Sequence, residues 1–237
     1  MKNIFGEAKT TNAQEHEESH WISMSDLMAG LMMVFLFISI AYMRHAQIER
    51  DKIKEVAVTY QNTQVALYDD LFHEFKNDLP RWDAEIDKDT LEFRFKSPEV
   101  LFDVGKITLK PQFEQILQDF FPRYLGVINN FQDSISEIRI EGHTSSAWNR
   151  FVTEEEAYFN NMELSQGRTR TVLEYVYALP EVAPQRAWVK SKFAAVGLSS
   201  SQLVYTLGGL EDAERSRRVS FKVITNAETQ IRKIIAN

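Results

Sequence analysis

The 237-residue chain has no cysteine, which excludes a disulfide framework, thiolate metal sites and a cysteine nucleophile. Proline and glycine are sparse at 6 and 9, so the chain is neither collagen-like nor low-complexity. Basic charge is in deficit: 27 Lys and Arg against 34 Asp and Glu give a net charge of -7, the wrong balance for displacing counterions from nucleic acid. Histidines 16, 20, 45, 73 and 143 fall at no ligand spacing, so neither metal nor cofactor is expected. Catalytic patterns are missing too. The Glu154-Glu-Glu156 run reads as a solvated acidic loop, Ser199-Ser-Ser201 lacks a nucleophile elbow, and Gly208-Gly209 is a turn rather than a phosphate loop. No enzyme is expected. What remains, 44% hydrophobic and 26% charged residues, is enough to fold.

One long apolar run stands out, residues 21–43 from Trp21 to Met43. At ~1.5 Å per residue it reaches ~34 Å, enough to cross a hydrocarbon core of ~30 Å with some tilt. Trp21 and Tyr42 fall at the interfaces. The preceding Gln14-Glu-His-Glu-Glu-Ser-His20 is not the basic leader of a cleaved signal peptide, so residues 21–43 are expected to stay as a signal anchor. Lys2 and Lys9 before the helix are outnumbered by Arg44, Arg50, Lys52 and Lys54 after it, a count that places the C-terminal side in the cytoplasm.

Residues 44–80 read as a helical linker ended by Pro80. Ile53, Val56, Tyr60, Thr63 and Leu67 alternate spacings of three and four, which fits a coiled-coil seam; an ordinary amphipathic helix fits as well. The pattern then changes. Trp82–Ile86 and Leu91–Lys96 form a hairpin around Asp87-Lys-Asp-Thr90, and Pro111 opens a helix with Phe113, Ile116, Leu117 and Phe120 on one side. Ile135, Ile138 and Ile140 mark a strand, Leu164–Leu179 a helix, Lys192–Val196 and Arg218–Ile224 two more strands, and Asn226 caps a last helix at 226–237. The fold class is α+β: a single transmembrane helix, a helical linker and an α/β sandwich at 81–225 with helices on one sheet face.

Two places can carry function. Asp26 lies within the membrane run, where a carboxylate costs ~2.5–3.5 kcal/mol on insertion scales and usually faces a bundle interior or a water path. On a helix it shares a face with Ser23, Gly30, Met33 and Phe37, a narrow stripe suited to partner helices and to an ion. Five residues from Trp21, it also reads as an interfacial aspartate marking the helix end. The second place joins Ile138-Arg-Ile-Glu-Gly-His-Thr-Ser145 to Asn160-Asn-Met-Glu-Leu-Ser-Gln-Gly-Arg168. A strand end and a helix beginning near Leu164–Ser165 would gather His143, Thr144 and Ser145 beside Asn160, Asn161 and Leu164, with Arg168 offering a planar fork to a carboxylate. The alternative is a solvent-facing Arg168 and a satisfied turn histidine.

Residues 98–224 resemble the OmpA-like peptidoglycan-binding family. Val100-Leu-Phe-Asp-Val-Gly-Lys-Ile-Thr-Leu-Lys-Pro111 is similar to its entry strand and turn, and Ile140-Glu-Gly-His-Thr144 to its strand-turn motif. Asn161 with Leu164-Ser165 and Arg168 matches its helix start, and Arg217-Arg218-Val219 its closing strand. The resemblance implies that Asn161 and Arg168 contact the diaminopimelate of the peptide stem. Ser145 stands where the family has an aspartate, so the anionic partner of the ligand's ammonium is lost. One membrane helix bearing an aspartate, a helical linker and this domain together resemble MotB-type stator subunits. The wording Ser25-Asp-Leu-Met-Ala-Gly-Leu-Met-Met-Val-Phe-Leu-Phe37 is closer to their counterparts in Zorya anti-phage systems than to flagellar ones. The implied protein is a proton-conducting homodimer, with Asp26 as ion carrier, enclosed by ZorA/MotA-like multi-span membrane subunits and anchored to peptidoglycan. Residues 1–20 would be a cytoplasmic tail in the bacterial inner membrane topology, and the folded domain would lie in the periplasm, against the basic-residue count. A passive peptidoglycan tether and a flagellar stator are the rival readings.

Overall fold

The computed structural model describes residues 11–96 and 101–226, with side chains from Met24 onward. The chain divides into two units, Met1–Glu55 and Val56–Asn237. Helix α1, Thr11–Phe75, begins in the first and ends in the second.

In the first unit every side chain from Met24 to Met43 is exposed, Phe35 to 62% and Met32 to 73%. A helix that is apolar around its whole circumference is stable only where lipid or other helices replace water. It is long and apolar enough to cross a membrane. Asp26 is exposed on it, and a Cβ at Gly30 would meet nothing within 4 Å. Trp21 and Ser23, expected at the interface and beside Asp26, have side chains outside the described set.

The second unit begins earlier than the sequence suggested. Leu67, Leu71 and Phe75, four residues apart on α1, are 0% exposed and belong to the core. The expected linker at 44–80 and domain start at 81 are therefore corrected: the compact unit starts at Val56, because the apolar stripe of α1 packs on its own domain. The same packing supplies the reason for the apolar spacing past Tyr60, while Ile53 at the head of the expected seam is exposed. Gln64 Nε2 donates to the carbonyls of Lys88 and Asp89 at 3.0 and 2.6 Å. The Arg123 guanidinium donates to Glu74 Oε1 at 2.7 Å and to the Glu74 carbonyl at 3.0 Å, and pairs with Asp78 at 2.9 Å. The helix stops at Phe75, ahead of Pro80.

Strands β1 (Ala84–Asp87) and β2 (Glu92–Phe95) form the expected hairpin, with Asp87 Oδ1 accepting from the N–H groups of Asp89 and Thr90. Helix α2 (Pro111–Asn129) opens on proline and buries Phe113, Ile116, Leu117 and Phe120. Then come β3 (Ile135–His143), α3 (Glu154–Ala178), α4 (Arg186–Lys192), β4 (Phe193–Ser199), α5 (Ala213–Ser216) and β5 (Arg218–Thr225). The sheet order is β1-β2-β5-β3-β4; only the pair β3–β4, joined through α3, is parallel. The class is mixed α+β, as expected.

Alternation decides the faces of this sheet. Phe93 and Phe95 on β2, Val219 and Phe221 on β5, and Ile138 and Ile140 on β3 share one buried face. Phe120 of α2 lies against it, its ring centroid 4.6 Å from Phe93, 5.1 Å from Phe221 and 5.3 Å from Phe75. The alternate residues carry charge, with Glu92 bonded to Arg94 at 2.7 Å and Lys222 at 3.1 Å. Burial would raise the Glu92 carboxyl, but these two cations outweigh it and hold it below the ordinary carboxylate value.

Helix α3 starts ten residues before the expected Leu164–Ser165, at Glu154. Thr153 is its N-cap: Thr153 Oγ1 accepts from the Glu156 N–H at 3.2 Å and Glu156 Oε2 accepts from the Thr153 N–H at 2.8 Å. Glu154-Glu-Glu156 is thus the first helical turn, where acidic side chains complement the helix dipole, and not a loop. The expected last helix, 226–237, lies outside the described residues except for Asn226, whose Nδ2 donates to the Asp133 carbonyl at 2.7 Å.

Candidate functional site: a cationic cavity at the strand ends

Two glycines set the site. Gly142 of β3 pairs with Gly197 of β4, and α3 crosses directly above them. A Cβ at Gly197 would lie 2.3 Å from Gln166 Cγ, and one at Gly142 would lie 2.8 Å from the Ser165 carbonyl oxygen. Their absence lets α3 lie against the ends of β3 and β4. Ser165 Oγ then accepts from the Ser199 N–H at 3.2 Å, Ser199 Oγ donates to the Tyr158 carbonyl at 2.7 Å, and the Thr144 N–H donates to the Ser199 carbonyl at 2.9 Å. These bonds fix the helix, the β4 end and the chain leaving β3 to one another.

A cavity of about 260 Å³ opens there, and Thr144, Ser145, Asn161, Leu164 and Arg168 line it together with Phe102, Trp148 and Arg217. Four of the expected ligand residues, Ser145, Asn161, Leu164 and Arg168, are thereby brought together. Two are not. His143 does not line the cavity; its side chain is buried in the sheet with Nε2 3.7 Å from Glu141 Oε2, too long for a hydrogen bond. Burial holds its imidazole below the ordinary value, and the nearby Arg218 adds to this against the pull of Glu141 and Glu92. Asn160 lies one position round α3 from Asn161 and faces a neighbouring cavity instead.

Asn161, buried at 3% exposure, spends its amide on the loop after β3, with Nδ2 donating to the carbonyls of Ser145 at 3.1 Å and Ala147 at 3.3 Å. Ser146, next along, is held from the other side by Glu211, whose Oε1 accepts from its N–H at 2.9 Å. The loop that carries Ser145 and Trp148 is therefore fixed at both flanks before any ligand arrives.

Arg168 is neither solvent-facing nor a free fork. It is half-buried; Nε donates to the Lys106 carbonyl at 2.9 Å and Nη2 to the Asp103 carbonyl at 3.1 Å, and the guanidinium lies 4.8 Å from the Phe102 ring centroid. Nη1 makes no hydrogen bond and no carboxylate pairs with Arg168 among the described residues. Burial, and then the second guanidinium of Arg217, lower its pKa to about 10. Two arginines held this close in a half-buried cavity repel each other, and an anion between them would relieve the repulsion. The cavity also offers a buried hydroxyl: Thr144 Oγ1, on a residue 4% exposed, has no hydrogen-bond partner among the described residues.

The sequence reading missed Phe102 and Trp148 as cavity walls. Trp148 stands in a polar loop, where a half-exposed indole has no core to fill, and that isolation was the available signal. Gly167, one residue before Arg168, lies under the 101–110 segment: a Cβ there would be 2.7 Å from the Ile107 side chain and would push it aside.

No family model matches the chain. A Zorya protein ZorB from Escherichia coli (Crooks strain) is 60% identical over 235 residues, covering 99% of each chain. Among solved structures, a MotB-like protein from Desulfovibrio vulgaris is 21% identical, over 74% of this chain and 94% of that one, with a TM-score of 0.46. The cell wall anchor of the T6SS from Pseudomonas aeruginosa is 18% identical over 66% and 97%, with a TM-score of 0.45. The periplasmic domain of Helicobacter pylori MotB is 15% identical over 61% and 83%, with a TM-score of 0.41.

Proposed function

The chain belongs to the ZorB family of Zorya proteins, and from that premise we propose that it is a stator-like subunit of an envelope complex acting in anti-phage defence. In this reading residues 21–43 span the inner membrane once, Asp26 relays protons between water paths on its two sides, and the second unit grips peptidoglycan from the periplasm. The partners are ZorA/MotA-like multi-span membrane subunits around a homodimer of this chain, and the protein is not itself an enzyme.

The cavity of Arg168 and Arg217 carries the wall-binding half of the proposal. It presents the Arg168 guanidinium beside that of Arg217, with Arg168 Nη1 free, a buried Thr144 hydroxyl and the apolar rim of Trp148, on a scaffold rigidified by Asn161 and Glu211. Such a site suits the carboxylates of a peptide stem, and in this reading the domain lies outside the cytoplasm, where that ligand is found. The ion half rests on Asp26, the one acid on the apolar surface between Met24 and Met43. A surface that exposes Met, Leu and Phe on every side has room for several partner helices, as enclosure by a ring requires.

The test pairs two variants at equal membrane abundance. Asp26→Asn should abolish protection in a phage plating assay while leaving assembly intact, and Arg168→Ala should lose retention on purified sacculi. Undiminished protection with Asp26→Asn would sink the ion role and leave a passive tether; lost swimming with unchanged plating would point to a flagellar stator.

A further inference from the structure

The strand that leads into the cavity ends on a buried imidazole. Side chains alternate along β3, so Glu141 and His143 fall on the side opposite the core-facing Ile138 and Ile140, and the two residues that follow, Thr144 and Ser145, line the cavity. Glu141 and His143 are each 3% exposed. Neither ring nitrogen of His143 has a hydrogen-bond partner among the described residues, and nor has Glu141 Oε2, although Nε2 and Oε2 are 3.7 Å apart. A charged pair of this kind closes at about 2.7–2.9 Å, so these two stand roughly 1 Å short of a bond that neither makes elsewhere.

The groups around the ring are in near balance. Arg218 of β5 lies opposite His143, and Ser199, its neighbour on β4, carries no charge. Glu141 on β3 and Glu92 on β2 favour the imidazolium, the second with its charge shared between Arg94 and Lys222. Burial and Arg218 oppose it and prevail, so the ring is neutral at neutral pH. The cavity lies close to this balance. Thr144 is one Cα step from His143, ~3.8 Å, and Arg217, which lines the cavity, is the residue before Arg218. An anion taken up beside Thr144 and Arg217 offsets the repulsion from Arg218 and favours the imidazolium. Such coupling is reciprocal: whatever the anion adds to proton binding, the proton adds to anion binding.

We propose that His143 is a proton-linked positioning residue for the cavity: filling the cavity with an anion draws a proton onto His143 and closes it onto Glu141, and acidification in turn tightens the cavity's hold on the anion. That the anion is a stem-peptide carboxylate rests on the peptidoglycan reading above.

The experiment uses the full-length, detergent-solubilised protein and a synthetic stem tetrapeptide, whose own charges stay constant between about pH 5 and pH 8. Wild type should bind the peptide about fivefold tighter at pH 5 than at pH 8, the low end of coupling between two sites. The His143 ring, identified among the five histidines by the signal lost in His143→Gln, should in nuclear magnetic resonance titration bind its proton about fivefold tighter with peptide than without. His143→Gln should bind the peptide within about twofold at the two pH values, and Glu141→Gln should displace the rise in affinity to lower pH. An identical His143 titration with and without peptide, which needs no variant, overturns the linkage. So does a pH dependence of peptide affinity that persists in His143→Gln. Absence of binding to the peptide and to purified sacculi at both pH values overturns the peptidoglycan reading, whereas binding that ignores pH overturns the linkage alone.

Discussion

Phe35 and Phe75 belong to one helix, yet the first is 62% exposed and the second 0%. Their neighbourhoods explain the contrast. Around Phe35 the apolar residues cover the whole circumference, and no part of the described chain covers them. Around Phe75 they form a stripe, Leu67, Leu71 and Phe75, with Asp69, Asp70 and His73 on the remaining surface. Hydrophobicity alone does not say where a residue goes. A stripe finds a partner within its own chain, whereas a full apolar belt requires one outside it.

Phe75→Ala should have the largest effect, because it empties space among Trp82, Phe93 and Phe120. A loss of about 3–5 kcal/mol is expected in chemical denaturation of the second unit, while Phe35→Ala should leave that transition unmoved. Deletion of residues 46–76 would remove the same core side chains and unfold the domain, so a test of linker length has to stop at Glu55; the shorter deletion should leave thermal unfolding of the domain unchanged. Gly197→Ala comes next. Its methyl would meet the α3 backbone and Gln166, and a destabilisation of about 1–3 kcal/mol with weakened sacculus retention is the expected outcome. Thr153→Ala removes the capping box of the helix that carries the site, at a cost of about 1 kcal/mol by thermal melting.

The smallest effect is one of pH. The His143 imidazole titrates below its ordinary 6.5 in the folded chain, so between the two values the unfolded state binds more protons and stability falls as pH drops below about 6.5. His143→Gln should flatten the acid side of a denaturation series, and an unchanged slope would show that other groups, such as the Glu92 carboxyl held low by Arg94 and Lys222, carry the dependence. Arg168 has the opposite reach. With its pKa lowered to about 10, the cavity's affinity for an anion should fade as pH rises through that value, well before an ordinary arginine would discharge.

Much of the fold was legible because period and punctuation agreed. The Asp87–Thr90 turn, Pro111, and the alternation of Val219, Phe221 and Val223 each have one local meaning, and tertiary packing left it intact. The start of α3 was not, although Thr153 and Glu156 carry a capping signature. Its first turns are polar, since Asn160, Asn161 and Glu163 serve cavities rather than the core, and polarity in a row reads as loop. Motif singled out Ser145, Asn161, Leu164 and Arg168, and the fold gathers these four round one cavity. His143 was misplaced by strand geometry: the last residue of β3, it falls on the side opposite the core-facing Ile138 and Ile140.

Arg123 and the rooted end of α1 have a mechanical corollary. A peptide tether attached to a domain by a loop yields by unzipping hydrogen bonds one at a time. Here the chain at Val56 enters through a helix whose side chains Leu67, Leu71 and Phe75 are themselves part of the core, and whose last turn is gripped by Arg123 at Glu74, with Asp78 just beyond its end held by the same guanidinium. Tension arriving at Val56 is met by that core packing rather than by a loop, so the entry point of the domain is stiff under pull.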